Sequence, residues 1–273
     1  MKPPRLFTFF IHLPKTAGTS FKTACIQALG PRLAWWVHKI PPDAGQHGID
    51  YYTELQGLIP RIGVDLEMCG GHVTFSMLPP EIRDQALLIS MLREPVARAL
   101  SFFAYLWDHP QHPLAQKTSG MTLYDALQVP AFRWAVQNQQ CRHLFGGLGQ
   151  RQQILEGTAV KYLIGKTDQL PEFLDAVADC GGPRLVVRSS DNQSRSDYRE
   201  ILASQPRYHE AIELLRELNG DDTALFESFP TLLLSSALRS SIRGNIPVST
   251  ASPGTAPGIS AGSPARNNPR TAN

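Results

Sequence analysis

No apolar run in this 273-residue sequence approaches the length of a membrane span. The most apolar stretch near the start, LFTFFIHL, is interrupted by His12 and followed at once by Pro14 and Lys15. It also lacks the longer apolar core and small-residue cleavage site of a secretory leader, so it is expected to be a buried strand in a cytoplasmic protein. Cysteine is scarce: Cys25, Cys69, Cys141 and Cys180 are scattered without paired spacing, which excludes a disulfide framework and points to reduced thiols. Charge is sparse as well, at 18% of residues, and nearly balanced at a net +2. From Ser240 onward there is no acidic residue, only Arg243, Arg266 and Arg270. The 26 basic residues less these three leave 23 against 24 acidic ones, a net charge of −1 for residues 1–239. A nearly neutral body excludes a general nucleic-acid binder. Any anion site must therefore be made by a few placed residues.

The segment after Ser240 is rich in Ser, Pro, Gly and Ala and has no aromatic residue. It cannot bury enough apolar surface to offset its ordering entropy, so residues 240–273 are expected to be a disordered tail behind a single domain of residues 1–239. No internal repeat is visible. Strands are expected at Arg5–His12, Ala86–Leu92, Val160–Gly165 and Arg184–Val187. Helices are expected from the residues after Ala17 to about Leu29, from Pro95 to Trp107, and at Thr122–Gln128, Phe132–Phe145, Leu170–Ala178, Arg207–Leu218 and Thr223–Leu234. Strand–helix alternation of this kind predicts an α/β fold, three-layered and P-loop-like. Its central parallel sheet is flanked by helices, with ligands at the carboxyl ends of its strands.

The strongest local signal is FFIHLPKTAGTSF, Phe9 to Phe21: a strand, a short loop, then a helix opening with small and hydroxyl residues. Free N–H groups and partial positive charge at such a helix start form an anion site. Gly18 allows close backbone approach, Thr16, Thr19 and Ser20 offer hydroxyls, and Lys15 adds a full charge beside Ala17. The order is not that of a Walker A loop, whose lysine comes late, immediately before the hydroxyl residue. A solvated lysine next to an ordinary helix start is the alternative.

A second strand–loop–helix unit follows in LLISMLREPVARALSFF, Leu87 to Phe103. Arg93 stands at the carboxyl end of a buried strand and can offer a bidentate fork to phosphate. Ser101 lies two helical turns after Glu94 and so shares its face. Arg98 shares that face too, and either contributes to the anion site or pairs with Glu94 at i, i+4. A salt bridge at Arg93 and close packing at Ser101 are the alternatives. Between the two units lies CGGHVTF, Cys69 to Phe75, where His72 follows two glycines that would leave room for a bulky group. Histidine titrates near neutrality and suits the removal of a proton from a hydroxyl.

Taken together, these segments resemble the PAPS-dependent sulfotransferases (PAPS, 3'-phosphoadenosine 5'-phosphosulfate), in the branch that includes uronosyl 2-O-sulfotransferases and bacterial carbohydrate sulfotransferases. HLPKTAGTSF is similar to the family's 5'-phosphosulfate loop, which implicates Lys15, Thr16, Ala17, Gly18, Thr19 and Ser20 in holding the donor. In that family the loop lysine contacts the transferring sulfuryl group. LREPVARALS is similar to its 3'-phosphate motif, implicating Arg93 and Ser101. GHV is similar to the segment carrying its catalytic histidine, implicating His72, with Glu67 and Glu81 as weaker candidates for the base. NQQCRHLFG resembles a helix after the 3'-phosphate motif and makes Arg142 an acceptor-side or nucleotide contact, a solvated arginine being the alternative. The resemblance covers about residues 6–230 and implies PAPS as donor, PAP (3'-phosphoadenosine 5'-phosphate) as product, a carbohydrate or glycolipid hydroxyl as acceptor, and no metal. Cys69 and His72 with Cys141 and His143 are the metal alternative, though neither pair is a paired-cysteine knuckle. An ATP-dependent P-loop kinase and a non-catalytic nucleotide- or glycan-binding protein are the rival functions. A kinase would need an acidic residue at a strand end to hold Mg²⁺, where the sequence has Met91-Leu92-Arg93.

Overall fold

Phe9 and Ile11 pack into one apolar cluster and Phe10 into another, and all of Thr8–Ile11 is buried. A strand with no exposed face must lie inside a sheet covered on both sides. The protein is described here by a computed structural model over residues 6–36, 55–146, 148–157, 159–187 and 198–241. The strands are β1 (Thr8–Ile11), β2 (Leu33–Trp36), β3 (Met68–Gly71), β4 (Leu87–Leu92), β5 (Lys161–Lys166) and β6 (Leu232–Leu234). They form a six-stranded sheet in the order β2-β3-β1-β4-β5-β6. All pairings are parallel except β5 with β6. Except for that antiparallel edge, this is the α/β architecture expected.

Helix α1 (Gly18–Leu29) and a later helix α9 (Leu170–Asp179) cover one face, through Phe21, Cys25, Phe173 and Val177. On the other face lie α2 (Pro80–Gln85), α7 (Gln139–Phe145) and α12 (Gly220–Glu227), packing Ile82, Leu144, Phe145 and Leu225 against Phe9, Leu88 and Tyr162. A third cluster is wholly helical. It joins α3 (Pro95–Asp108), α4 (Pro113–Thr118), α5 (Leu123–Gln128), α6 (Pro130–Val136), α10 (Tyr198–Ala203) and α11 (Tyr208–Leu218) through Phe103, Leu127, Phe132, Leu202 and Leu215. Helices α8 (Arg151–Glu156) and α13 (Ser236–Ser241) flank β5 and β6.

Several expected elements differ. β2 and β3 fall in stretches that were not expected to be strands: Gly70 and Gly71 suggest a loop but lie within β3. Gly70 is required there, since a Cβ would meet the Phe10 Cβ and the Trp35 ring at 3.0 Å. The expected helix over Phe132–Phe145 is two helices, because Asn138 turns left-handed (φ 42°) between them. Its Oδ1 accepts from the Asp221 and Asp222 amides, while the Asp222 carboxylate accepts from the Gln140 and Cys141 amides at 2.9 and 2.7 Å. That reciprocal cap makes a break cheaper than a continuous helix. The expected helix Thr223–Leu234 ends at Glu227; beyond Pro230 the run Leu232–Leu234 joins the free edge of β5 instead. A short apolar run does not itself distinguish the two forms. With that edge taken, the segment expected as a strand at Arg184–Val187 carries no ladder, although Leu185 still packs into the α1-side core. The expected tail lies, from residue 242 onward, outside the described residues. Among the described residues no helix is long and apolar enough to cross a membrane, and the four cysteines are buried and free.

Candidate active site

The register of β1 with β3 pairs Ile11 with Gly71, so His12 and His72 leave adjacent strands side by side at their carboxyl ends. Two main-chain groups of His12 fix the arrangement. Its N–H donates to the Gly71 carbonyl at 2.9 Å, and its carbonyl accepts from His72 Nδ1 at 3.0 Å. A carbonyl only accepts, so Nδ1 of His72 carries the hydrogen and, in the neutral ring, Nε2 carries the lone pair. The two imidazoles stack with centroids 4.1 Å apart and planes 25° apart.

From His12 the chain enters Leu13–Ala17, where Lys15 and Ala17 adopt positive φ angles of 70° and 57°. Each such conformation costs a non-glycine residue about 1–2 kcal/mol, and strain of that kind is held where a loop must present particular groups. Thr16 turns its hydroxyl inward to the Leu13 carbonyl at 2.9 Å and does not cap the helix. Ala17 is the N-cap of α1 and supplies no side-chain hydrogen bond, and the first amide to close the helix is that of Phe21 onto the Ala17 carbonyl. The amides of Gly18, Thr19 and Ser20 thus stand at the helix start, where the macrodipole is positive. Thr19 is exposed and Ser20 buried. Gly18 is sterically dictated: a Cβ would lie 1.7 Å from His12 Nε2.

Lys15 is tied to the second anion unit. Its carbonyl accepts from Arg93 Nη1 at 3.3 Å, while its ammonium lies 4.7 Å from the Tyr105 ring centre on α3. Burial and the nearby Arg93 charge hold the Lys15 ammonium below the usual lysine range, partly opposed by Asp108. Arg93 is also held at its backbone, where Gln140 Oε1 accepts from its amide and Gln140 Nε2 donates to its carbonyl, both at 3.0 Å. Its Nη2 reaches the Tyr198 hydroxyl at 3.4 Å, and Arg199 Nε meets the same oxygen at 3.3 Å. Ser101, two turns into α3, is 1% exposed.

Glu94 and Arg98 have separate partners in the structure. Glu94 caps α3, accepting from Val96 and Ala97 amides at 3.0 and 2.6 Å. Arg98 is fully buried and donates from Nη2 to the Val136 carbonyl at 3.1 Å; burial pushes its guanidinium down to about 10. Arg142 stacks on Trp134 at 4.2 Å and donates to the Trp134 and Gln137 carbonyls, so its charge closes the end of α6. Glu67, offered as an alternative base, precedes β3 and pairs with Arg32 at 2.5 Å, at the amino end of the strand and opposite to His72. Glu81 is exposed in the first turn of α2. The room expected from Gly70 is taken by Phe10 and Trp35.

Two histidines complete the site that sequence reasoning used only in passing. His12 had been an interruption of an apolar run, although its place at a strand's carboxyl end was the available signal. His143 lies on α7 and keeps part of its surface accessible, but its Nε2 is buried without a hydrogen bond of normal length. Burial, reinforced by the positive charge that His72, Arg98 and Arg142 can carry, pushes it down to about 3. His12 is likewise lowered, chiefly by burial, then by His72, His143, Lys22 and Lys15. Nothing in the sequence pointed to Tyr105, Gln140 or Tyr198. Among the described residues no cluster of three metal-ligating side chains is present, and Cys69 with Cys141 are core residues.

Two outcomes follow from this packing. Gly18→Ala forces the His12 ring from its seat, and overpacking of this kind costs about 1–3 kcal/mol. Urea unfolding should show that loss, and unchanged unfolding would mean the ring swings aside freely. His143 titrates near 6.5 when unfolded and near 3 when folded. Between those values the unfolded chain binds more protons, so stability falls as pH drops, by up to about 1.4 kcal/mol per unit. Acidification from pH 7 to 5 should therefore cost about 2 kcal/mol through this residue, and His143→Gln should flatten the slope by that amount. Equal slopes in both proteins would overturn the assignment.

No protein-family model matches the sequence, and no curated protein matches it. Among solved structures, the chain is similar to a mouse sulfotransferase complexed with PAP, at 15% identity and a TM-score of 0.47, over 83% of this chain and 89% of that one. It is also similar to a sulfotransferase from Alicyclobacillus acidocaldarius, at 16% identity and a TM-score of 0.37, over 81% and 98%. A retinol dehydratase in complex with androsterone and inactive cofactor PAP matches at 11% identity and a TM-score of 0.31, over 81% and 82%.

Proposed function

We propose that this chain is a sulfotransferase that moves a sulfuryl group from PAPS to a hydroxyl, with a carbohydrate as acceptor. The observation that carries the reading is one junction. The uncapped start of α1, the Lys15 side chain, the Arg93 guanidinium bonded to the Lys15 carbonyl, and His72 with its lone pair on Nε2 all meet at the carboxyl ends of β1, β3 and β4. The choice of a carbohydrate rests on the sequence resemblance of the loop and of the GHV segment. Free buried thiols fit a reducing, cytoplasmic setting.

In this reading the 5'-phosphate sits on the amides of the α1 start, with Thr16 shaping the loop and Thr19 and Ser20 at its rim. Arg93, with Ser101 as the sequence resemblance implies, takes the 3'-phosphate, and Gln140 orients the Arg93 backbone for that task. His72 Nε2 removes the acceptor's proton as the new O–S bond forms. The bond from sulfur to the bridging oxygen breaks, and its electron pair stays on the 5'-phosphate of PAP. Lys15 stabilises that charge. A lysine with a lowered proton affinity resting on an aromatic face is ready to move toward the developing anion. A P-loop kinase needs a carboxylate for Mg²⁺ where this chain has Arg93 at the end of β4, which disfavours that rival.

The donor is tested by thermal shift and titration. PAP without Mg²⁺ should stabilise the protein, and should bind more tightly than adenosine 5'-phosphate. Arg93→Ala should erase the preference, at about 1.5–3 kcal/mol for a lost charge-assisted contact. Equal affinity for the two nucleotides in the unmutated protein, or stabilisation by Mg-ATP alone, would overturn the reading. Chemistry is tested with labelled PAPS, a panel of glycans and mass spectrometry of the products. Lys15→Ala should lower kcat by about 100-fold with PAP affinity little changed. His72→Ala should lose about 100- to 10,000-fold while still binding PAP and melting cooperatively. Retained turnover in either variant would return that side chain to an ordinary structural role.

A further inference from the structure

The Tyr198 hydroxyl stands between two guanidinium groups. Arg93 Nη2 donates to it at 3.4 Å and Arg199 Nε at 3.3 Å. A phenol oxygen has two lone pairs, so both are engaged by cations and its own hydrogen is left to donate. The ring fixes that oxygen in place, because Tyr198 is 6% exposed and belongs to the helical core with Phe103, Leu202 and Leu215. Arg93 is fixed as well, by Gln140 at its backbone and by the Lys15 carbonyl, which accepts from Nη1 at 3.3 Å. Arg199, by contrast, is exposed.

Two guanidinium groups that share one neutral oxygen repel each other. Among the described residues neither makes an ion pair. Glu94, whose charge reaches Arg199, already caps α3 through the Val96 and Ala97 amides. Both arginines keep N–H donors to spare: Arg93 engages one on each terminal nitrogen, and Arg199 engages Nε alone. We propose that Tyr198 and Arg199 complete, with Arg93, a three-donor receptor for the 3'-phosphate, and so set the preference for a nucleotide phosphorylated on its ribose. The inference rests on the reading of Arg93 as the 3'-phosphate ligand. A phosphate monoester offers three strong acceptor oxygens, enough to take an N–H from each arginine and the phenol hydrogen together, where a carboxylate offers two. A phenol whose lone pairs are held by cations is a stronger donor than a free one. The bond from Arg93 to the Lys15 carbonyl ties this cluster to the loop proposed for the 5'-phosphate, so a single nucleotide with two phosphates engages both. No local motif marks the receptor, since 105 positions separate Arg93 from Tyr198.

Titration calorimetry of the full chain with PAP and with adenosine 5'-phosphate reads the receptor without any turnover. Arg199→Ala removes a fork from the surface; Tyr198→Phe removes only the hydroxyl and keeps the ring in its core. Each should lose about 10-fold in PAP affinity, the size of one charge-assisted contact. Neither should change adenosine 5'-phosphate affinity by more than about 2-fold, because that nucleotide has nothing for the receptor to hold. Both should still unfold cooperatively in the absence of nucleotide. A structural role behaves differently: the thermal midpoint falls while the ratio of the two affinities keeps its unmutated value, and that result overturns the proposal. A preference for PAP that is lost in Arg93→Ala but intact in Arg199→Ala or Tyr198→Phe overturns it too, and leaves the donor reading standing. Equal binding of the two nucleotides by the unmutated protein, or a preference that survives Arg93→Ala, overturns the donor reading itself and the receptor with it.

Discussion

The peptide units on either side of His12 hold the site together. Its amide extends the β1–β3 ladder onto Gly71, and its carbonyl receives the imidazole of His72. Because β1 lies between β3 and β4, the end of this one strand fixes the distance from the Leu13–Ala17 loop to both His72 and Arg93. The packing requirements follow from it. Gly70 must lack a side chain so that Phe10 and Trp35 can close over β3, and Gly18 must lack one so that the His12 ring can settle on α1. Both cores take alternate residues of the same strand, so β1 has no freedom to slide.

Local placement, not overall charge, carries the proposed anion site. The body of the protein is almost neutral, yet Lys15, Arg93 and a helix start converge within one loop cluster. The convergence has a cost. Lys15 and Ala17 are held left-handed, and burial, then the nearby Arg93 charge, lowers the proton affinity of Lys15. His12 and His143 are lowered for similar reasons, burial first and neighbouring positive charge second.

Behind the site, charge is consumed by structure. Glu94 serves the start of α3, Asp222 the start of α7, and Arg142 the end of α6. Glu94 and Arg142 sit where sequence patterning suggested a pairwise or functional role, and all three satisfy backbone groups at a helix end. Short helices such as α6 and α7, of seven residues each, have few internal hydrogen bonds and depend on such caps. Arg98, wholly buried and under the charge of Asp222, belongs to this frame.

The sequence by itself determined the parts whose signals are local. Strand β1, its loop and α1, and likewise β4, Arg93 and α3, are legible because apolar runs, Pro95 and Gly30 act over a few residues. It also marked Lys15, Gly18, Arg93 and His72 by type and spacing. Tertiary structure decided what depends on contacts distant in the chain. β3 is a strand because Phe10 and Trp35 flank its glycine, and Leu232–Leu234 became β6 because β5 had a free edge. The helix expected through Asn138 broke because residues 81 to 84 positions away supply its caps. The stacking of His12 on His72, 60 residues apart, is set by strand order and register, which no local pattern encodes. Local propensity chooses the elements; main-chain pairing across the sheet chooses which side chains share a site.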